Sequence, residues 1–447
     1  MGFNSIFGSF LNLEKGGLKK NFVHIFSSKA MVIILSFAVT PILSRVYSPL
    51  EYGVFGVFNT ITLNFSILSS LGYGDGMGVS SNDRDFYALH KLSVILTIIT
   101  AIVLLPFLPF LIKVLDRESA VQYGDVVILI WFGALFLSIS NIVLKMNMHF
   151  NDFGFGSKVG VVSNVWMRII ALIGGFYPSK MPFGLILAEL GHKVALLSAG
   201  FIRHNNRLKK AWLTTSRKDM LKVAKLYIAY PKYFLPSRYL SLLVAQVPIF
   251  YIARFYSLND LGQYTMAASL VVLPINLFGN SLSAVYLRRF RGSGNVEIGS
   301  LTVKLFSFLL VALTIPVLLL LFLGPKLVWF FLGASWESTG ILVQVMSIYL
   351  IYQTFFVAIS GLFQVLKLES AFLKFQMISA IFVILFGVGS FIFDLNLWKF
   401  ILGFSVLKLF LLSGVIHYLF IKIHVKYSVF IWLISVLLTI LVFVGIH

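Results

Sequence analysis

Cysteine is absent from the 447 residues. That excludes disulfides, thiol catalysis and cysteine-based metal sites. Charge is also scarce: 12% of residues are Asp, Glu, Lys or Arg, about half the share of a soluble globular protein. Acids are the scarcer sign, 16 against 36 Lys plus Arg, and the net charge is +20. There is no Walker A loop, no metal-spaced His cluster and no Ser-His-Asp pattern. Catalysis therefore has no foothold in the sequence, which reads as a non-enzyme without cofactors. The alternating glycines Gly72, Gly74, Gly76 and Gly78 follow an apolar run rather than a strand. They read as a flexible helix end, not a nucleotide loop.

What is abundant is apolar surface. Hydrophobic residues make up 59% of the chain, and the mean hydropathy is +0.94. The length alone allows two or three soluble domains, but a soluble fold has nowhere to put so much apolar area, and a bilayer does. A spanning helix needs about 20 mostly apolar residues. Runs of that kind fall at 22–44, 51–72, 90–113, 126–146, 158–177, 183–202, 234–255, 263–286, 302–324, 341–364, 371–393, 397–420 and 428–446. They are continuously apolar rather than alternating, which means helices and not barrel strands. The basic segment 1–21 and the long run after it are expected to act as a retained signal anchor.

Placing the N-terminus on the cytoplasmic side puts 24 of the 36 basic residues in cytoplasmic loops and 7 outside. This asymmetry sets the expected orientation in a bacterial inner membrane. It also accounts for the net charge without nucleic acid, because the cations lie in short loops that face anionic lipid. The expected division is a six-span bundle over 22–202, a basic linker over 203–233, a second six-span bundle over 234–420, and an additional span within 421–447. Within the linker, Met220, Leu221, Ala224, Tyr227 and Ile228 set against Lys218, Lys222 and Lys225 read as an interfacial amphipathic helix.

The two halves repeat. Arg45-Val-Tyr47-Ser48-Pro-Leu-Glu51-Tyr-Gly53-Val-Phe55 and, 209 residues later, Arg254-Phe-Tyr256-Ser257-Leu-Asn-Asp260-Leu-Gly262-Gln-Tyr264 share the pattern Arg-x-Tyr-Ser-x-x-acid-x-Gly-x-aromatic, six of eleven positions. Six spans per half is an even number, so both halves have the same orientation, as a parallel repeat. Each turn carries the chemistry of a helix cap, with its acid in the first helical turn. The same offset pairs Lys29 with Arg238. Lys193-Val-Ala-Leu-Leu-Ser198 pairs with Lys408-Leu-Phe-Leu-Leu-Ser413.

These motifs resemble the O-antigen flippases of the polysaccharide transporter family, within the multidrug/oligosaccharidyl-lipid/polysaccharide flippase superfamily. The resemblance rests on the Arg45–Phe55 turn, on Tyr230-Pro231-Lys232-Tyr233 with the residues that follow to Tyr286, and on Gly361-Leu-Phe-Gln364-Val-Leu-Lys367. It runs over about 22–420. It implies an all-α polytopic membrane protein, two six-helix bundles around a central cavity, and alternating access of a lipid-linked oligosaccharide. The chain departs from the family at Tyr73-Gly74-Asp75-Gly76-Met77: many relatives carry Arg-Tyr-Glu-x-Ala there, and here the acid is kept but the Arg is missing.

Ionisable side chains within spans are costly and usually meet a cavity or a partner. The embedded cations are Lys29, Arg168, Lys193, Arg238 and Lys408. The embedded acids are Glu189 and, at the edge of the second run, Asp75. Phosphates are held by point charges and guanidinium forks. The five cations are therefore the expected substrate-binding groups, and Asp75 and Glu189 the expected ion-coupling groups. Glu189 and Lys193 are four residues apart on one helix face and equally suit a neutralising pair. The partners so expected are an undecaprenyl-pyrophosphate-linked oligosaccharide, membrane lipid and polysaccharide polymerase machinery. Two alternatives stand beside this reading: a multidrug exporter, whose cationic cargo favours acidic cavity residues, and a polysaccharide polymerase or ligase, which calls for a sizeable outer loop.

Overall fold

The structure is a computed structural model. It describes residues 18–80, 82–110, 124–150, 152–176, 183–283, 286 and 295–425. All regular structure among the described residues is helical, and the protein is a multi-pass membrane protein. Eleven helical segments among these residues are long and apolar enough to cross a membrane. The expected span at 428–446 lies outside the described residues.

The chain forms two compact units. They are not the linear halves 22–202 and 234–420. The first unit joins residues 1–45 to 263–447, and the second is the continuous stretch 46–262. The first helix of each sequence half thus packs with the other half.

In the first unit, α1 (Leu18–Val46) is anchored by its last turn. Ser44 Oγ donates to the Leu332 carbonyl at 3.0 Å, Arg45 Nη1 donates to the Phe331 carbonyl at 3.0 Å, and Trp336 Nε1 donates to the Ser44 carbonyl at 2.8 Å. These bonds satisfy carbonyls that a helix end leaves without partners. The unit continues with most of α10 (Leu258–Pro274) and with α11 (Asn295–Leu332), α12 (Glu337–Met346) and α13 (Leu350–Ile359). It ends with α14 (Leu362–Val365), α15 (Glu369–Ile392) and α16 (Leu397–Lys422). The stretch Ala334–Ile359 is its interior and is mostly buried, and Phe355 stacks edge-on against Phe306 and Phe420 there. α15 is the opposite case: Ile381, Ile384, Leu385 and Phe391 are all more than half exposed, as expected of a helix solvated by lipid.

The second unit holds α2 (Pro49–Ser69), α3 (Tyr73–Gly76), α4 (Asp83–Leu104), α5 (Gly124–His149), α6 (Phe153–Gly175), α7 (Phe183–Thr214), α8 (Arg217–Leu226) and α9 (Leu235–Phe255). It also takes the first turn of α10. α2 is absent from the eleven apolar segments although the sequence places a span there. Its polar Asn59 and Asn64, with Thr60 and Thr62, lower its hydropathy. Thr60 and Thr62 are buried in protein, and Asn64 donates to Gln246 of α9, so α2 is sheltered by its neighbours rather than by lipid.

The repeated turns are capping boxes. Ser48 and Glu51 exchange hydrogen bonds at the start of α2, and Ser257 and Asp260 do the same at the start of α10. Each box satisfies two helix-start N–H groups. The two first turns also press on each other. A Cβ placed on Gly53 would strike the Leu258 carbonyl, and one placed on Gly262 would strike the Pro49 carbonyl. Loss of one cap costs about 1 kcal/mol. Ser257→Ala is accordingly expected to lower the thermal midpoint in detergent by a few degrees, while Ser257→Asp keeps it.

α8 opens with a third box, Ser216 with Asp219. The Ser216 hydroxyl and backbone N–H, aided by Arg84, hold the Asp219 carboxyl below the usual carboxylate range. The helix docks through Val223, with Ala224 and Tyr227 beside it, into a core of Tyr73, Met77, Phe86 and Leu89. Leu221 and Ile228, on the apolar face expected to lie at the membrane surface, are 58% and 54% exposed.

Candidate functional site

The predicted site residues fall into three places. The first is in the second unit, where the chain turns back after α2. Leu71 and Gly72 both adopt positive φ, 48° and 81°, and the turn hands the chain to the four-residue α3. α3 lies tight against the segment before α9: a Cβ on Gly72 would come within 3.2 Å of the Tyr230 carbonyl, and one on Gly76 within 3.3 Å of the Tyr227 ring. That closeness carries Asp75 to Arg238, near the start of α9. Arg238 Nη1 donates to Asp75 Oδ2 at 2.5 Å, and Lys145 Nζ on α5 stands 3.5 Å from Asp75 Oδ1. A π turn over Tyr230–Phe234 precedes α9. Such a turn inserts a residue into the helical register and so sets which face Arg238 occupies.

Sequence reasoning assigned Lys145 to a loop and missed it here. A hydropathy run marks only where a helix ends, and Asp75 is seventy residues away in the chain. The signal available was the level of the two residues: both end helices that point the same way across the membrane.

The second place is on α6 and α7 of the same unit. Lys193 Nζ bonds Glu189 Oε1 at 2.8 Å, one helical turn apart, with side chains 15% and 22% exposed. Arg168 of α6 acts electrostatically on Glu189 and on Tyr52 of α2. His192 hydrogen-bonds the Ser163 backbone on α6, which ties the two helices together. Glu189 is thus the hub of a cluster with two cations.

The third place is in the first unit. Lys408 on α16 holds its ammonium 4.2 Å from the centre of the Tyr349 ring, a cation–π contact. Lys29 is half-buried on α1. Among the described residues, neither has a carboxylate within ion-pair distance.

The repeat is therefore chemically unequal. Of the pair Lys29 and Arg238, only Arg238 is neutralised, by Asp75. Of the pair Lys193 and Lys408, only Lys193 is neutralised, by Glu189. Among the described residues, Arg238 and Lys193 of the second unit sit against carboxylates, and Lys29 and Lys408 of the first do not. No cluster of His, Cys, Asp and Glu able to hold a metal occurs among the described residues.

A family model described as "Polysaccharide biosynthesis protein" matches residues 42–341. The chain belongs to that polysaccharide biosynthesis family. Its fold is similar to the lipid II flippase MurJ in an inward closed conformation, with a TM-score of 0.62 at 15% identity, over 93% of this chain and 97% of that one. It is also similar to a multidrug resistance MATE family transporter of the MOP superfamily in an inward-facing conformation, with a TM-score of 0.58 at 13% identity, over 94% and 98%. A third relative in fold is a MOP superfamily transporter from Pyrococcus furiosus, described as having a binding pocket of reverse polarity, with a TM-score of 0.60 at 14% identity, over 94% and 98%. No curated protein sequence matches significantly. This member of the polysaccharide biosynthesis family thus has the fold of flippases and transporters, with cations in excess among its embedded charges.

Proposed function

We propose that the protein is a flippase that moves an undecaprenyl-pyrophosphate-linked oligosaccharide, an O-antigen or related surface polysaccharide unit, from the cytoplasmic to the periplasmic leaflet of a bacterial inner membrane by alternating access. The observation that carries the reading is the pair of embedded cations without carboxylates, Lys29 and Lys408. A cation without a carboxylate in hydrocarbon costs at least about 2.5–3.5 kcal/mol, which for Lys408 the Tyr349 ring offsets in part, so an anionic cargo is a direct reason for its presence. Arg168, Lys193 and Arg238 add capacity for phosphate and acidic sugars. Any ion coupling falls to Asp75 or Glu189, the acids that already sit against cations. The family's link to polysaccharide biosynthesis and the likeness in fold to a lipid II flippase support the same cargo class.

A multidrug exporter remains the second reading because MATE transporters share the fold. Cationic drugs would be repelled by the embedded charges here.

Purified protein in liposomes is expected to carry a labelled lipid-linked oligosaccharide across the bilayer. Lys29→Ala and Lys408→Ala are each expected to cut the rate at least about tenfold, the effect of losing roughly one charge-assisted contact. Wild-type rates in both variants, or transport of cationic drugs instead, would overturn the reading.

A further inference from the structure

Asp75, Arg238 and Lys145 form an arrangement whose parts do not need one another for folding. A structural ion pair is normally well shielded, yet Arg238 is 55% exposed and Lys145 and Asp75 about 30% each. Exposed pairs of this kind contribute little to stability. The two cations come from different, long helices, α9 and α5. The carboxylate comes from the four-residue α3, reached through the positive-φ turn at Leu71 and Gly72. The cations are thus fixed on rigid elements, and the anion sits on a short one. Two cations and one carboxylate also leave one positive charge over.

We infer that Arg238 and Lys145 are a receptor for a pyrophosphate group, and that in this structure Asp75 occupies it as an internal substitute which the incoming phosphates displace. The inference rests on the flippase reading and adds to it Lys145 as a binding residue and Asp75 as an internal competitor. A pyrophosphate brings more negative charge and more acceptor oxygens than one carboxylate, so it outcompetes Asp75 for a guanidinium and an ammonium. When cargo leaves, Asp75 returns, and the two cations are never left facing each other alone.

The test is a binding titration of the full-length protein in lipid nanodiscs with farnesyl pyrophosphate, inorganic pyrophosphate and farnesol. Wild type is expected to bind both pyrophosphates and not farnesol. Tighter binding of the farnesyl compound assigns the site to a lipid headgroup, and equal binding assigns it to free phosphate. Lys145→Ala and Arg238→Ala are each expected to weaken pyrophosphate binding by about tenfold. Asp75→Asn should tighten it by a similar factor, and that gain should vanish when Arg238 and Lys145 are both alanine. Weaker or unchanged binding in Asp75→Asn overturns the inference. A measurement on the unmutated protein covers a misfolded variant: carbodiimide labelling of Asp75, read by mass spectrometry, should rise on adding farnesyl pyrophosphate. Unchanged labelling also overturns it. Failure of oligosaccharide transport with this binding pattern intact removes the flippase reading and leaves the site. Absence of any pyrophosphate binding removes the site and the pyrophosphate from the cargo.

Discussion

Gly262→Ala is expected to be among the most damaging single methyl additions to this protein. The added Cβ would overlap the Pro49 carbonyl, and the reciprocal change at Gly53 would overlap the Leu258 carbonyl. In both cases the obstacle is backbone, which cannot rotate aside as a side chain does. The first turns of α2 and α10 must separate. Both Ser–acid caps ride on those same turns, so the strain is passed into the hydrogen bonds that start the helices. Overpacking a tight contact costs about 1–3 kcal/mol, and this one belongs at the upper end. The thermal midpoint in detergent should fall by several degrees in either alanine variant. The two changes should not add: once one methyl has forced the turns apart, the second finds room already made. A double variant as costly as the sum of the singles, or single variants with wild-type midpoints, would show that the turns do not bear on each other.

Glu189→Leu is expected to be comparably severe, for an electrostatic reason. It strands Lys193 and removes the acid that Arg168 also faces. Breaking a buried pair from one side costs about 3–5 kcal/mol. Glu189→Leu with Lys193→Leu should recover most of the loss, because two apolar side chains replace two charges that balanced each other. Transport then separates the roles. If Lys193 only neutralises Glu189, the double variant should move lipid-linked oligosaccharide at the wild-type rate. If Lys193 also receives phosphate, the double variant should fold and fail to transport. Wild-type stability in Glu189→Leu alone would contradict the burial argument.

Local chemistry was the most legible part of the sequence. The Ser48/Glu51 and Ser257/Asp260 caps could be read directly because donor and acceptor are three residues apart. Glu189 and Lys193 were equally readable, at one helical turn. The runs of apolar residues marked the helices because hydrocarbon sets their length. α2 shows where that signal weakens: a span largely enclosed by protein keeps its threonines and asparagines and is less apolar than its neighbours, though its run at 51–72 could still be read. What was not legible depends on contacts between distant segments. Lys145 meets Asp75 only because α3 folds back after Gly72. Val223 becomes the docking residue of α8 only because of the core formed by Phe86, Met77 and Leu89. The packing of α1 with the second half of the chain is likewise invisible to periodicity, since α1 reads as an ordinary first span. The five embedded cations were found because charge in hydrocarbon is rare. Beyond the local Glu189–Lys193 pair, which of them meet a carboxylate was not legible, because the contact of Arg238 with Asp75 depends on the fold.

The exchange of first helices has a bearing on how the chain is made. Val46–Gly262 is continuous, so its helices can assemble as soon as the ribosome has delivered α9 and the turn after it. α1 leaves the translocon before α2–α9, yet its partners at Phe331, Leu332 and Trp336 are synthesised late. It must stay in the lipid through most of translation with its half-buried lysine unsheltered. Biogenesis therefore reverses the written order: α1 enters the membrane before the second unit and finds its seat after it.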